Sequence, residues 1–385
     1  MVAMAALAAA LVGCTGCTNL GYYWQAATGH IDLMRAARPV PEWLDDPAAS
    51  QALKDRLVLA QRIRRYASAQ LGLPDNKSYT AYADLKRPAA IWNVVAAPPY
   101  SLTLHISCFP VAGCVGYRGY YALAEAQAEA ERLRGEGLEV SVYPVPAYST
   151  LGWLNWAGGD PLLSSFIGYP EGELARLLFH ELAHQVVYVP DDTMFNESFA
   201  TAVERLGGER WLATEAGAGA REEYVRFNAQ RQAFRALALD TRSRLQAVYS
   251  AKEAAQQDWP AVELRKRAVM DEFRQRFAQL REGWSGPRQN AYDAWVARAN
   301  NALFGAQAAY DGLVPGFEAL FKADSTAGGD PWPRFFDAVK KLARLPKAER
   351  DEALRVEAQR AQSGQPDRPD RPDSLPTKRT AGSGA

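Results

Sequence analysis

Apolar positions recur at helical spacing through residues 48–71, where Leu53, Leu57, Ala60, Ile63, Ala67 and Leu71 share one face. Gly72 and Pro74 stop that segment. Residues 91–96 and 101–107 read as strands. Residues 122–134 are an Ala- and Glu-rich helix closed by Gly135 and Gly137, and residues 139–145 alternate as a strand. Residues 148–154 are a further strand candidate. Pro170 suits the first turn of a helix, where its missing N–H would have no partner. The apolar pattern behind it predicts a helix to Tyr188, ended by Pro190. A second helix is expected from about Asn196 to Gly207 and Gly208. Residues 221–309 read as long charged helix with breaks at Pro260 and at 283–287, and 317–321 and 333–345 add short helices. Residues 363–385 carry Pro, Asp and Arg without apolar periodicity and read as a disordered tail.

This pattern predicts a predominantly helical α+β fold. A small mixed sheet is expected to pack on the helix that follows Pro170, with long helices C-terminal to it. The expected organisation is a leader at 1–17, a core at 18–210 and a helical domain at 211–350 that completes a cleft.

Residues 1–13 (MVAMAALAAALVG) form an apolar run too short to span a bilayer and sized like a signal-peptide core. Gly13 then Cys14 resembles a lipobox, with Cys17 as the alternative acceptor, although no Lys or Arg precedes the run. A buried N-terminal helix is the competing interpretation. Export implies an oxidising compartment. Cys108 and Cys114 are separated by residues including Pro110 and Gly113, which let the chain turn back, so a local disulfide is expected. Metal ligation and two free thiols are the alternatives.

The composition is that of an ordinary folded protein, with 48% apolar and 23% charged residues in 385. Forty-four basic and 44 acidic side chains cancel, which gives no electrostatic reason to expect nucleic acid as a partner.

The chemistry is concentrated at His180-Glu181-Leu182-Ala183-His184. Side chains four apart on a helix lie one above the other, so His180 and His184 can direct two ring nitrogens at one point. That is a zinc-chelating arrangement. Glu181 is rotated about 100° away by the helical repeat, so it flanks the metal as a proton acceptor for a water activated there. Leu177, Leu178, Phe179, Leu182, Val186 and Val187 make the segment apolar nearly all round. Two buried histidines and a glutamate need partners, and a metal supplies them. One Zn2+ per chain is the expected cofactor. Glu197, in Asn196-Glu197-Ser198-Phe199-Ala200, is the expected third ligand, and Glu204, seven residues on, is its rival. Asn196 and Glu204 are otherwise expected to hold the ligands in place.

His-Glu-Leu-Ala-His followed by Asn-Glu-Ser-Phe-Ala resembles the gluzincin metallopeptidases, whose zinc site a downstream Glu completes. The chain is similar over most of its length, up to about Leu345, to a family of bacterial lipoproteins described as predicted aminopeptidases. The similarity runs through Tyr22-Tyr23-Trp24-Gln25-Ala26, the 73–79 segment LPDNKSY, the 108–121 segment CFPVAGCVGYRGYY and residues 147–153. It continues through Asp160-Pro161-Leu162-Leu163 and residues 179–204. The resemblance implies a gluzincin-like catalytic core, a zinc-dependent peptide hydrolase of aminopeptidase type, and a lipid-anchored place in the bacterial envelope facing the periplasm.

Charge developing on the substrate carbonyl oxygen calls for a donor beside the metal. Tyr117, Arg118, Tyr120, Tyr121 and Tyr310 are candidates, whereas nothing in the sequence brings His30 or His105 near. Ser149, Thr150, Leu151 and Gly152 are expected to form an edge strand that pairs with an extended peptide. An aminopeptidase needs carboxylates for the free ammonium, and Asp160, Asp191 and Asp192 are available. A zinc endopeptidase is the alternative enzyme. A non-catalytic envelope lipoprotein that binds partners through its long helices is the alternative of another class.

Overall fold

The computed structural model describes residues 21–109, 113–152, 155, 158–326 and 328–363. The proposed lipidation positions Cys14 and Cys17 and the expected tail at 363–385 lie outside them, except Ser363, which ends the last helix. A helix at residues 21–36 (α1) leads into β1 (Ala37–Pro39), α2 (Val40–Asp45) and α3 (Gln51–Leu71). The Ser50 hydroxyl caps α3 by accepting from the Leu53 N–H, and Gly72 closes it in the left-handed conformation at φ 64°. Then follow β2 (Ala81–Ala83), β3 (Ile91–Ala97), β4 (Ser107–Phe109), β5 (Gly113–Val115), β6 (Arg118–Tyr120), α4 (Leu123–Gly135), β7 (Glu139–Val145) and β8 (Leu162–Leu163). The C-terminal half is helical: α5 (Glu171–Ala183), α6 (Thr193–Thr214), α7 (Ala218–Tyr249), α8 (Lys252–Ala255), α9 (Trp259–Glu282) and α10 (Asp293–Ala297). It ends with α11 (Asn301–Asp311), α12 (Val314–Thr326), α13 (Pro331–Ala343) and α14 (Lys347–Ser363). The fold is α+β and predominantly helical.

Two small sheets and a hairpin carry the strands. In the order β6-β3-β7 all neighbours are antiparallel. One face of this sheet buries Val94, Ala96 and Val140 against Ala126, Ala130 and Leu133 of α4. In β1-β2-β8, β2 pairs antiparallel with β1 and parallel with β8. The β4–β5 hairpin is closed by a Cys108–Cys114 disulfide, in line with the expectation for this pair.

The main core surrounds α5 and α6 and crosses residue 210. It takes in Leu57 and Ile63 from α3 together with Phe317, Trp332, Phe335 and Leu354 from α12 to α14. A separate cluster joins α7 and α9 through Phe234, Leu237, Phe273 and Phe277. Among the described residues no helix is long and apolar enough to cross a membrane.

Several boundaries differ from the sequence expectation. The expected strand at 101–107 is paired only from Ser107 onward, because residues 101–106 run as coil against α11, where a Cβ on Gly305 would lie 2.6 Å from the Leu102 carbonyl oxygen. The helix expected to reach Tyr188 ends at Ala183. Its last turn tightens through Gln185 N–H to the Leu182 carbonyl (3.1 Å) and Val186 N–H to the Ala183 carbonyl (2.9 Å). Helix α6 starts earlier than expected, at Thr193, because Asp192 caps it by accepting from the Phe195 N–H. It also runs through Gly207 and Gly208. These glycines are contact points: a Cβ on Gly207 would lie 2.8 Å from Leu71 Cδ1, and one on Gly208 would lie 2.7 Å from Arg176 Cγ. Helix α14 continues beyond the expected end of the helical region at 350.

Candidate metal centre

The two helices that carry the chemistry lie antiparallel, with α5 presenting Arg176, His180 and His184 to α6, which presents Glu197 and Glu204. The connecting loop is held from within. Asn196 Nδ2 donates to the Val189 carbonyl (2.7 Å), and Asn196 Oδ1 accepts from the Val189 N–H (2.8 Å). Asn196 therefore fixes the loop that sets the helix offset: its side-chain amide is engaged on both sides by Val189, not by a histidine ring. Asp192 anchors the same loop to α14 through Lys347 and Arg350, each at 2.7 Å.

Among the described residues His180, His184 and Glu197 form the group of metal-ligating side chains whose atoms converge, within 4.8 Å of one another. His180 Nε2 lies 3.2 Å from His184 Nε2 and 3.3 Å from Glu197 Oε2. His184 Nε2 lies 3.7 Å from the same oxygen. Three ligands bound tetrahedrally at about 2.0–2.2 Å stand about 3.3–3.6 Å apart, so the spacing fits zinc. Two bare imidazole nitrogens at that distance also need a shared cation or proton between them.

Glu204 lies behind this group. Its Oε2 is 3.1 Å from His180 Nδ1, and its Oε1 pairs with Arg176 Nη2. Accepting the Nδ1 proton leaves the His180 Nε2 lone pair facing the cation site. Burial acts to raise the Glu204 carboxyl, but Arg176 and His180 more than offset it and hold it down to about 2. Burial likewise acts on Glu197, and the two histidines reverse it, leaving that carboxyl below its ordinary value. His184 is pushed down to about 4 by burial. His180 resists burial because Glu197 and Glu204 both hold its proton, and it lies well above the ordinary histidine range. Glu181 has no such partner. Burial, reinforced by Glu197, lifts its carboxyl to about 7 against the pull of His180.

These groups open into a cleft of about 340 Å³ lined by His180, Glu181, His184 and Glu197. Its other wall is the β6-β3-β7 sheet, through Ile91, Asn93, Gly119 and Val145, with Tyr22 from α1 and Phe109 and Val115 from the disulfide hairpin. Tyr117 and Tyr121 line it. Burial, then Glu197, pushes the Tyr117 hydroxyl well above its ordinary value, so it stays protonated as a donor. Arg118 points elsewhere: it lies 4.0 Å over the Tyr22 ring and pairs with Glu129 at 3.6 Å. Tyr120 packs with α4. Tyr310 falls on α11, and its side chain is outside the described residues. His30 sits against Tyr148, with ring centroids 5.7 Å apart, and His105 is exposed on a loop; neither lines the cleft.

The expected edge strand at Ser149–Gly152 is not one. Residues 147–150 are coil, and Leu151 and Gly152 turn with φ of 56° and 79°. The physical reason is that the backbone donors are already engaged: the Thr150 N–H donates to Asp160 Oδ1 (3.0 Å) and the Leu151 N–H to Ser149 Oγ (3.2 Å). Ser149 and Leu151 still line the cleft. The three aspartates considered for a substrate ammonium are all engaged and none lines it. Asp160 holds this turn, Asp191 accepts from the Cys114 N–H at 2.6 Å, and Asp192 caps α6.

Gln185 was not singled out in the sequence, although it directly follows the second histidine. Its Oε1 accepts from Asn76 Nδ2 (2.7 Å) and its Nε2 donates to Ser78 Oγ (3.2 Å), which ties the C-terminal end of α5 to the 73–79 segment. Arg176 was also missed. Its place one turn before His180 in the i, i+4 row was the available signal.

No curated protein and no solved structure matches this chain. The model of one family does, over residues 21–354, a span that includes every element from α1 to α13 and the first turns of α14. The chain therefore belongs to the family described as "Putative aminopeptidase".

Proposed function

We propose that the protein is a zinc-dependent peptide hydrolase that removes N-terminal residues, with Glu181 as its proton carrier. The observation that carries this is the convergence of His180 Nε2, His184 Nε2 and Glu197 Oε2 at zinc-like spacing, with Glu181 on the cleft side. His180, His184 and Glu197 would hold the ion, which when bound supplies Lewis acidity toward water and a peptide carbonyl. Glu204 keeps the His180 ring in the tautomer whose Nε2 can ligate. The Glu181 carboxyl, lifted to about 7, is matched to taking a proton from the attacking water near neutral pH and passing it to the departing amine. Tyr117 is the donor assigned to the developing oxyanion, because it lines the cleft with Glu181 and Glu197 and keeps its proton.

A second reading, internal cleavage by the same chemistry, is favoured by one observation. His180 and Glu181, with Val145 and Ala147, are shared by two cavities whose remaining walls differ, so a chain has room on both sides of the base. A non-catalytic binding protein is less well supported, since a purely structural metal has no need of a base beside it. Hydrolysis of aminoacyl anilides and of N-blocked peptides by zinc-loaded protein separates the readings. Cleavage of the anilides alone supports the first, and cleavage of blocked peptides the second. Bound zinc with neither activity rejects both.

We further propose that the protein is an exported lipoprotein of the bacterial envelope, anchored through Cys14 or Cys17. The apolar run before Cys14 and the Cys108–Cys114 disulfide, suited to an oxidising compartment, support this. Labelling with a fatty-acid analogue, lost in a Cys14→Ser and Cys17→Ser double variant, tests it.

A further inference from the structure

The second cavity beside Glu181 has a different chemistry from the cleft. It measures about 470 Å³, and its wall away from the cleft includes Arg231, Phe234 and Arg235 of α7 and Trp295 of α10. The cleft lining contains no Lys or Arg. The cavity lining contains four arginines, Arg176, Arg205, Arg231 and Arg235, against two carboxylates, Glu181 and Glu204.

Part of this positive charge is matched locally. Arg176 Nη2 pairs with Glu204. Arg231 pairs with Glu173 at 2.5 Å and Arg205 with Glu318 at 3.3 Å, and neither of those glutamates lines the cavity. Some of the guanidinium N–H donors nonetheless lack an acceptor. Arg176 is buried to 6% of its side-chain surface, yet its Nε and Nη1 have no hydrogen-bond partner, and neither does Arg231 Nε. Guanidinium groups in a cavity walled also by Phe234, Tyr292 and Trp295 sit where water screens less than in bulk solvent, so an incoming anion gains more there than at an open surface. The planar fork of an arginine also matches a carboxylate in shape.

We infer that this cavity is the subsite for an anionic group of the substrate, a peptide carboxylate lying close to the bond that is cut. Because His180 and Glu181 border the cavity, a group held there belongs to the same molecule whose peptide bond lies over Glu181. The inference rests on the peptidase reading for the identity of the ligand. It adds a substrate class: peptides that end, or carry an acidic residue, on the α7 side of the site.

The test uses zinc-loaded full-length protein and three peptides: Leu-Ala-Ala with a free carboxylate, the same peptide as its carboxamide, and Leu-Ala-Asp carboxamide. Binding is measured to the Glu181→Gln variant and hydrolysis with the unaltered protein. The free acid or the Asp peptide should bind about tenfold more tightly than the neutral one, the worth of one charge-assisted contact. The preference should vanish in Arg231→Gln and Arg235→Gln, each on a Glu181→Gln background, while affinity for the neutral peptide stays. Preference for the free acid alone identifies a chain terminus, and preference for the Asp peptide identifies a side chain. Equal binding of all three peptides, or no binding, overturns the inference. Variants that weaken all three alike also overturn it, with retained zinc and melting temperature as the folding control. Selective binding without hydrolysis would keep the anion subsite and reject the peptidase reading.

Discussion

Glu204 Oε2 lies 3.1 Å from His180 Nδ1, and the other oxygen of that carboxylate is paired with Arg176. A buried acid thus orients a histidine from behind and is itself held by a buried arginine. Glu197, one face-repeat earlier on α6, meets both ring nitrogens from the front, at 3.3 and 3.7 Å. The two glutamates therefore have different duties, and substitution separates them. Glu197→Ala should abolish tight zinc binding, whereas Glu204→Ala should weaken it by about 10–100-fold, as loss of an outer partner does. Chelator competition gives both affinities. The reverse order would make Glu204 the ligand.

Glu181 touches neither helix partner as a ligand, so its removal should spare the metal. Glu181→Gln is expected to bind zinc as the unaltered protein does and to lose about 10²–10⁴-fold or more in kcat, the usual worth of a positioned proton carrier. Zinc content and turnover are measured on the same preparation. Lost zinc would mean that the carboxylate has a structural role.

Acidity should couple to the metal in a defined direction. In the metal-free protein His180 is held well above its ordinary value by Glu197 and Glu204 against the effect of burial, so at neutral pH it carries a proton. Its pairing stabilises the metal-free fold fully below pH ~6.5, and that contribution disappears as pH rises through the raised folded value. Ligation requires the neutral ring. Zinc binding should therefore release a proton at pH 7, and affinity should fall on acidification. Calorimetry in buffers of different ionisation enthalpy measures the release. Uptake, or no exchange, would contradict the charge state assigned to His180.

Gly207 tests whether close approach of the helices builds the site. A Cβ there meets Leu71 Cδ1 at 2.8 Å and Phe179 Cδ2 at 3.0 Å, both fully buried. Valine gains helix propensity of only a few tenths of a kcal/mol over glycine, while overpacking costs about 1–3 kcal/mol. Gly207→Val should lower the melting temperature and, by shifting α6 against α5, weaken zinc binding. An unchanged melting temperature would show that Leu71 and Phe179 can move aside.

Local sequence was sufficient for the pair His180 and His184 and for Glu181 beside them, because a helical repeat alone decides which side chains share a face. The Cys108–Cys114 pairing was legible for another local reason, a short segment able to turn back on itself. The predominantly helical α+β class followed from periodicity. What the chain could not specify locally was any relationship between distant segments. Gly207 and Gly208 look alike in sequence whether they end a helix or admit a neighbour, and only α3 and α5 packed against them decide. Residues 149–152 have a strand-like composition, yet Asp160 and Ser149 occupy the backbone donors a strand would offer. Glu197 and Glu204 lie on one face of one helix, and the choice between them depends on the offset of α6 along α5, set by the Asn196 clamp on Val189. The arginine-lined cavity is assembled from α5, α6 and α7 and is visible only once those helices meet, because a field made by separated charges is a property of their positions in space and not of their order in the chain.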